Sequence, residues 1–568
     1  MSRTDVRPTP RPQGQWAVGD RTPLNGPERL KAERAPLEVR ERIESVHAHE
    51  GFDSLPAEDL KERLKWWGLY TQRRQDAPAT ETGSSAEQLM DRYFMLRIRT
   101  DGGQLTAAQL RAIAWASQAC GRDVADVTDR QNIQLHWVRI EDVPEIWRRL
   151  EAVGLTTGMA CGDVPRGFLG CPVAGRDADE VLDATEVITA TAARAVGNPA
   201  YANLPRKFKT SIAACAQQCA QPEINDVAFV GVRHEGQAGF DVLVGGGLGT
   251  APHFAQRLGV FVAPQRVPDV WEAIVSAFRD HGYRRSRKHA RLKFLIADLG
   301  AAAFREIVER EYLGERLPDG PPATPSHHGQ VDHVGVFAQA DGRYSVGVAP
   351  RAGRIAGSQL RAVADLAEAH GSGQVALTTQ QKLVVLDVEP GRVEGLVGAL
   401  GDHDLRARPH PFRRTTMACT GIEFCKLALA ETKGAADVLY RQLEQRLPDW
   451  DEGVRINVNG CPNSCARFQV ADIGFMGALV ETEREGRGEG FLVHLGGGLG
   501  EQRAFARKAR GVRVPAGDLT DYTEALLRRY VERRGGHTSF SDYVRSLDTD
   551  ELAEFAAPPV CIAAGSAA

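Results

Sequence analysis

A chain of 568 residues with 42% hydrophobic and 25% charged side chains is long enough to build several packed units. Its formal net charge of −4 excludes a globally basic nucleic-acid binder, although a local patch can still dock a partner. No run approaches the roughly 18 apolar residues of a membrane-spanning helix, and the opening MSRTDVRPTPRPQGQW lacks the apolar stretch of a secretory signal. Ten cysteines are too few for a disulfide scaffold in so long a chain, so their clustering favours a metal site in a reducing cytoplasm.

Residues 1–85 are rich in Arg, Pro and Glu and predict two amphipathic helices, PLEVRERIESVHAHEG and AEDLKERLKWWGLYTQRR, wrapped over a larger body. The second carries Trp66, Trp67 and Tyr70, an aromatic group suited to packing or to a cofactor edge. An internal duplication follows. GGQLTAAQLRAIAWASQACG aligns with AGRIAGSQLRAVADLAEAHG, so Gly103, Gln109 and Arg111 stand opposite Gly353, Gln359 and Arg361 at an offset of 250. Thr128–Gln131 falls on Thr378–Gln381 at the same offset. Each copy reads strand, helix, strand.

A second pair of segments repeats as well: NDVAFVGV…GFDVLVGGGLG matches ADIGFMGA…GFLVHLGGGLG, with Asp226 opposite Asp472 and Gly245 opposite Gly496. The expected order is a wrapping segment (1–85), small unit (86–158), large unit (159–325), small unit (326–405), large unit (406–545) and flexible tail (546–568) that includes Cys561. Such a chain predicts a pseudo-two-fold body with the active centre between its halves. Gly245–Gly247 and Gly496–Gly498 lack the G-x-G-x-x-G spacing of a dinucleotide loop and read as tight turns. No length remains for a flavin or nicotinamide domain, so electrons must come from another protein. His327, His328 and His333 lie in ATPSHHGQVDHVGV, a Pro- and His-containing linker between the halves.

Four of the cysteines form C-x5-C followed by C-x3-C: Cys419, Cys425, Cys461 and Cys465. Four thiolates on two short turns suit an iron–sulfur cube, which takes one sulfur per iron. A structural zinc site and unconnected buried thiols are the alternatives, although zinc knuckles usually space their cysteines more tightly. NGCPNSC follows the strand-like VRINVN, and Pro462 fits the first position of a helix. CAQQC in the first half places Cys215 and Cys219 at 246 residues before Cys461 and Cys465. A second cluster there would have to recruit Cys161 and Cys171, whose C-x9-C spacing departs from the first, so these cysteines read as ordinary thiols.

The C-x5-C…CPNSC arrangement resembles the signature of the siroheme-dependent sulfite and nitrite reductases, most closely their ferredoxin-dependent branch, and the likeness runs from Trp16 to about Tyr543. The resemblance implies an α+β (mixed α/β) fold with two small ferredoxin-like half-domains and two larger mixed-sheet domains around one siroheme. It also implies a 4Fe-4S cluster on the four cysteines, with Cys465 bridging to the siroheme iron.

By position, Arg97, Arg166, Lys207 and Lys209 match the two Arg and two Lys that the family aims at the substrate face of siroheme. Each alone would read as a solvated surface charge, but an oxyanion suits paired guanidinium hydrogen bonds and a localised ammonium. Arg130, Gln131 and Asn132 are expected to hold siroheme carboxylates or to pack the core. Lys209, where nitrite reducers of the family carry Asn, tilts the expectation to six-electron reduction of sulfite to sulfide. Nitrite reduction to ammonium is the nearest rival and a zinc-stabilised binding protein the most different one. In the close subgroup Tyr70 and Cys161 would be joined by a thioether. Reduced ferredoxin is the expected donor, docking on a basic face for which Arg284–Lys293 is the densest run. The enzyme is expected to work as a cytoplasmic monomer, with no nucleic-acid or membrane partner.

Overall fold

A computed structural model describes residues 25–78, 81, 88–325, 331–482 and 486–559. His327, His328 and Cys561 lie outside them. Among the described residues no helix is long and apolar enough to cross a membrane.

The two small units share one core. Helix Ala107–Cys120 opens with a capping box in which Thr106 and Gln109 satisfy each other's backbone N–H groups, at 3.2 and 3.0 Å. Its copy, Gly357–His370, begins at Ala356, which has no hydroxyl, and keeps only the Gln359 half of that box at 2.9 Å. The helices pack against each other across the pseudo-two-fold axis. Gly357 permits the approach, because a Cβ there would meet Ser117 Cβ at 2.7 Å and Ala114 O at 2.8 Å. Arg111 clamps Asp365 and Glu368 on the partner helix, and Arg361 reaches Gln118. One apolar cluster contains side chains of both units, Leu110 and Ile113 with Leu360 and Val363.

The two small sheets exchange edge strands. One runs Leu69–Arg73, Met90–Ile98, Ile133–Val138, Ala125–Val127 and then Arg354–Ile355 from the second half. The other runs Gly335–Ala338, Tyr344–Val348, Leu383–Val388, Gln374–Leu377 and then Gln104–Thr106 from the first half. Gly103 and Gly353 make the crossing possible with φ of 80° and 78°. A Cβ on Gly103 would lie 2.5 Å from Gln131 Nε2, and one on Gly353 would lie 2.9 Å from Gln381 Cβ.

Each large unit is a mixed sheet. In the first, Thr210–Ala213 runs parallel to Val227–His234, which continues antiparallel through Gln237–Val244 and Gln256–Val262. In the second, Thr416–Ala418, Ile456–Asn459 and Ile473–Thr482 run parallel, then antiparallel through Gly486–Leu495 to Arg507–Pro515. Helices Val267–His281 and Leu519–Arg533 bury one side in each of two separate cores. The mixed α+β class and the duplication therefore match expectation.

The expected helix over AEDLKERLKWWGLYTQRR does not form as one element. It is helical only at Ala57–Lys61, tightens to a 3-10 turn at Arg63–Trp67 and becomes strand Leu69–Arg73. Gly68 ends it with φ 78°, where a Cβ would sit 2.6 Å from Arg97 O. Two indole N–H groups anchor the turn, Trp66 to Ala202 O at 2.7 Å and Trp67 to Leu37 O at 2.9 Å. The strand that follows carries Tyr70 inward. PLEVRERIESVHAHEG is helical from Pro36 to Glu50, with a π segment at Ile43–His47.

Candidate metal and anion site between the two halves

The second large unit gathers the four signature cysteines. Cys419 follows Thr416–Ala418, Cys425 closes the next turn, and Cys461 and Cys465 follow Ile456–Asn459. Parallel pairing of Thr416–Ala418 with Ile456–Asn459 sets the two cysteine turns side by side at one end of the sheet. Backbone N–H groups face the sulfurs: Gly460 N lies 3.2 Å from Cys419 Sγ, while Leu427 and Ala428 face Cys425 and Asn463 faces Cys461. Burial raises the thiols of Cys419, Cys425 and Cys461, Cys419 to about 12, and the neighbouring cysteines add to each shift. No three of the four sulfurs lie within 4.8 Å of one another. Around a single tetrahedral zinc with bonds of about 2.3 Å the sulfurs would be about 3.8 Å apart. The opening suits a cluster rather than one ion.

The first large unit supplies cations. Lys207 and Lys209 immediately precede strand Thr210–Ala213, and Arg166 lies beside them through the bridge Pro165–Phe208. Arg166 is held by carbonyls, its Nε and Nη2 donating to Gly162 O at 3.1 and 3.0 Å. Arg97 donates to Cys161 Sγ at 3.2 Å and to Gln134. Burial, together with Arg130 and Arg291, lowers Lys209 to about 7. Burial and then Lys209 and Arg291 lower Lys207 well below the usual lysine value. Asp129 and Asp226 are the acids that act on this group, fewer than its cations, and a polyanion would complete the arrangement.

A small, partly open cleft joins the halves, lined by Asp129, Arg130, Lys209, Asn225, Ser464 and Arg467 among others. Arg130 donates to Asn225 Oδ1 at 2.9 Å and to Gly167 O at 2.8 Å, leaving Nε buried without a partner. Arg467 donates to Thr379 O and leaves Nε and Nη1 unsatisfied. Unpaired buried guanidinium N–H groups on a cavity wall are what a ligand bearing carboxylates would satisfy.

Arg467 went unremarked in the sequence because CPNSCARF draws attention to its cysteines. Its left-handed backbone, φ 57°, turns the side chain into the seam, and Gln221 at the equivalent position of the first half has φ 55°. That repeat equivalence, with Arg467 two residues past Cys465, was the available signal.

Gln131 and Asn132 do not match the expected role of carboxylate ligands. Gln131 is buried, with Nε2 donating to Leu377 O at 2.7 Å and Gly170 O at 3.1 Å and Oε1 accepting from Gly170 N at 3.0 Å. Asn132 Nδ2 donates to Arg130 O at 2.9 Å and Thr100 O at 3.3 Å. Both brace the loop that presents Arg130. Gln381, the counterpart of Gln131, braces Ala418 beside Cys419 at 2.8 Å.

The basic run Arg284–Lys293 is not an open docking face either. Arg287 pairs with Asp163 at 2.5 Å, Arg291 with Asp226 at 2.7 Å and Arg284 with Glu28 at 3.0 Å, Lys293 is buried, and of the run's cations only Lys288 is exposed. Its charges knit the first half together.

Tyr70 and Cys161 meet on the opposite edge of the cationic group. Burial raises the Tyr70 hydroxyl, and Cys161 raises it further as a close neighbour and hydrogen-bond partner. Cys161 is fully buried.

A duplicated mixed-sheet body with a four-thiolate turn facing a cationic cavity defines an iron–sulfur oxidoreductase that handles anions. Comparison with known proteins agrees. Residues 161–317 and 410–557 match the family model of the nitrite and sulphite reductase 4Fe-4S domain. Residues 87–153 and 337–403 match the nitrite/sulfite reductase ferredoxin-like half domain. A sulfite reductase (ferredoxin) of Mycolicibacterium paratuberculosis is 50% identical over 97% of this chain and 100% of its own length. An assimilatory ferredoxin-dependent nitrite reductase of Haloferax mediterranei is 36% identical over 92% of this chain and 91% of its own. The solved structure of the Mycobacterium tuberculosis NirA protein superposes with a TM-score of 0.92 at 50% identity, covering 95% of this chain and 100% of that one. The chain belongs to the nitrite and sulphite reductase family, whose cofactors are a 4Fe-4S cluster and siroheme.

Proposed function

We propose that this protein is a cytoplasmic, monomeric sulfite reductase that takes electrons from reduced ferredoxin and reduces sulfite to sulfide by six electrons. Lys209 beside Lys207 in the cationic cavity carries this reading over nitrite reduction, because the more highly charged oxyanion gains more from an additional cation. The greater identity to a sulfite reductase than to a nitrite reductase supports the same choice.

The four thiolates of Cys419, Cys425, Cys461 and Cys465 would hold the cluster, Cys465 also reaching the siroheme iron, while Arg130 and Arg467 would neutralise siroheme carboxylates. When bound, these groups supply electron storage and an open coordination position for the substrate. The chain's own contribution is charge and protons. Arg97 and Arg166, fixed by Gln134, Cys161 and backbone carbonyls, hold oxyanion oxygens without having to reorganise. Lys209, brought to about 7 by burial and Arg130, is poised to donate a proton to oxygen leaving as water and to recover it from solvent. Lys207 shares that role.

Tyr70 and Cys161 would be joined by a thioether between ring carbon and sulfur, the ring C–H and the S–H breaking as two protons and two electrons pass to dioxygen. Peptide mapping would find a linked pair two hydrogens lighter than the separate peptides, and unlinked peptides alone would remove the proposal. The test of function is turnover of sulfite and nitrite by the purified enzyme with reduced ferredoxin. A larger kcat/KM for sulfite supports the reading, and preference for nitrite overturns it.

A further inference from the structure

Among the described residues, one group of soft ligands lies outside the cofactor site. Cys171, Cys219 and His333 are buried, and their ligand atoms lie within 4.8 Å of one another. Cys171 Sγ is 3.9 Å from Cys219 Sγ, Cys215 Sγ is 3.4 Å from Cys219 Sγ, and His333 Nε2 is 3.1 Å from Cys219 Sγ. Cys215 itself lies outside the group within 4.8 Å. Two sulfurs and one imidazole nitrogen thus converge from three separate segments of the chain, with the Cys215 sulfur beside Cys219 at the edge of the group.

We propose that Cys171, Cys219 and His333 bind one zinc ion, with Cys215 beside Cys219 moving in as the fourth ligand of a structural Cys3His site. Four zinc bonds of about 2.0–2.3 Å place neighbouring ligand atoms of a tetrahedron roughly 3.5–3.8 Å apart. The three separations from Cys219 Sγ, 3.1, 3.4 and 3.9 Å, are close to that spacing, and Cys215, which lies outside the group within 4.8 Å, has to close in to complete the tetrahedron. The cluster cysteines of the other half are more open. A disulfide is the competing arrangement, but it would occupy two sulfurs at about 2.05 Å and leave a third buried thiol and the His333 nitrogen without a partner. Binding requires each of the three thiols to release its proton, and the dication offsets the three thiolates.

The surroundings are those of a structural site. Leu169, Ala174, Ala213 and Ala220 pack around it, with Val331 against them, an apolar setting without a substrate-sized opening of its own among the described residues. Cys219 N lies 3.4 Å from Cys215 Sγ, the kind of amide–sulfur contact that supports a thiolate, and Cys219 O accepts from Thr379 Oγ1 at 2.9 Å. His333 holds a left-handed φ of 60° to deliver its ring. Cys171, Cys215 and Cys219 belong to the first half and His333 to the start of the second, so the ion would tie the two halves at the linker. Cys215 and Cys219 occupy the positions equivalent to Cys461 and Cys465. The same turn would therefore carry a cube in one half and a single ion in the other.

The test is metal analysis of the holoenzyme purified without chelator, with the zinc absorption edge measured on the same sample. The expected result is about one zinc per chain with three sulfur neighbours and one nitrogen neighbour at the distances above. Cys219→Ser and His333→Gln should each lower zinc content about tenfold or more while the visible cofactor absorption persists. Cys120→Ser, far from the group, should retain zinc. Absence of zinc from the wild-type enzyme, additional iron in its place, a Cys215–Cys219 disulfide on mapping, or zinc that survives both ligand substitutions would overturn the assignment. Zinc content is read independently of sulfite turnover, so this inference and the proposed function fail separately.

Discussion

The two large units use the same backbone for opposite electrostatic ends. In each, an aspartate accepts from the backbone N–H of the residue seventeen positions earlier, Lys209 to Asp226 and Arg455 to Asp472, both at 2.8 Å. In each, the aspartate's own carbonyl caps the glycine turn, at 2.9 Å to Gly245 N and to Gly496 N. The side chains then diverge. Arg455 folds back onto Asp472 at 2.8 Å and is neutralised. In the first unit Arg291 takes Asp226 at 2.7 Å instead, which leaves the Lys209 ammonium without that acid. One swap of an ion-pair partner turns an inert turn into a source of positive charge, while the other copy keeps its thiolates. Duplication thus made two frames, one presenting four thiols and one presenting cations.

The largest effect should come from removing the thiolate side. Cys461→Ser should abolish the cluster's visible and paramagnetic signals and lower sulfite turnover more than about a thousandfold, whereas substitution at the equivalent Cys215 should spare those signals. Similar loss of cluster signals from both would erase the proposed division.

At the seam the expected effect is on stability. Asp126 sits buried among His136 at 2.8 Å, Arg354 at 2.6 Å and Lys433 at 3.6 Å, the last two from the second half. Burial alone would raise its carboxyl, but Lys433, Arg354 and His136 hold it well below the usual range. Asp126→Ala should cost about 3–5 kcal/mol, since it leaves buried cations unpaired. Because the folded carboxyl is depressed, its contribution is fully present above the unfolded value of about 3.9 and is lost as pH falls toward the folded one. Acid unfolding of the variant should accordingly be shallower below about pH 4, as followed by circular dichroism.

On the anion side, Lys209→Asn should lower kcat/KM for sulfite about 100- to 1,000-fold, the scale of losing one preorganised charge donor, with far less effect on nitrite. Equal losses on the two substrates would defeat the specificity argument. The finest distinction is in pH. Lys209 is cationic below its midpoint and neutral above it, and bound carboxylates move that midpoint upward from about 7. Sulfite kcat/KM should fall by up to about tenfold per pH unit above the midpoint. Lys209→Arg should flatten the fall, and comparing the two enzymes removes the titration of sulfite itself.

Much of this was legible beforehand. The 250-residue offset announced the duplication, and the cysteine spacing with CPNSC marked the unit that matches the 4Fe-4S domain, because both are carried by local sequence. Which glutamine braces a loop and which arginine faces the cavity was not legible. Gln131 and Arg130 are chain neighbours, yet one is spent on Leu377 O of the other half and the other lines the seam. The strand segment Leu69–Arg73 was hidden inside a helical pattern because Gly68 reverses the chain only when Arg97 O lies against it.

Sequence alone therefore determined the repeat units, the four signature cysteines and the residue types available to bind an anion. Tertiary structure decided how the halves interlock: two short strands crossing between sheets, Arg291 replacing Lys209 on Asp226, and His333 meeting Cys171 and Cys219 from more than a hundred positions earlier. The physical reason is that strand pairing, ion pairing and ligand convergence depend on what the rest of the chain brings alongside. Local pattern specifies an element's type and leaves its partner open.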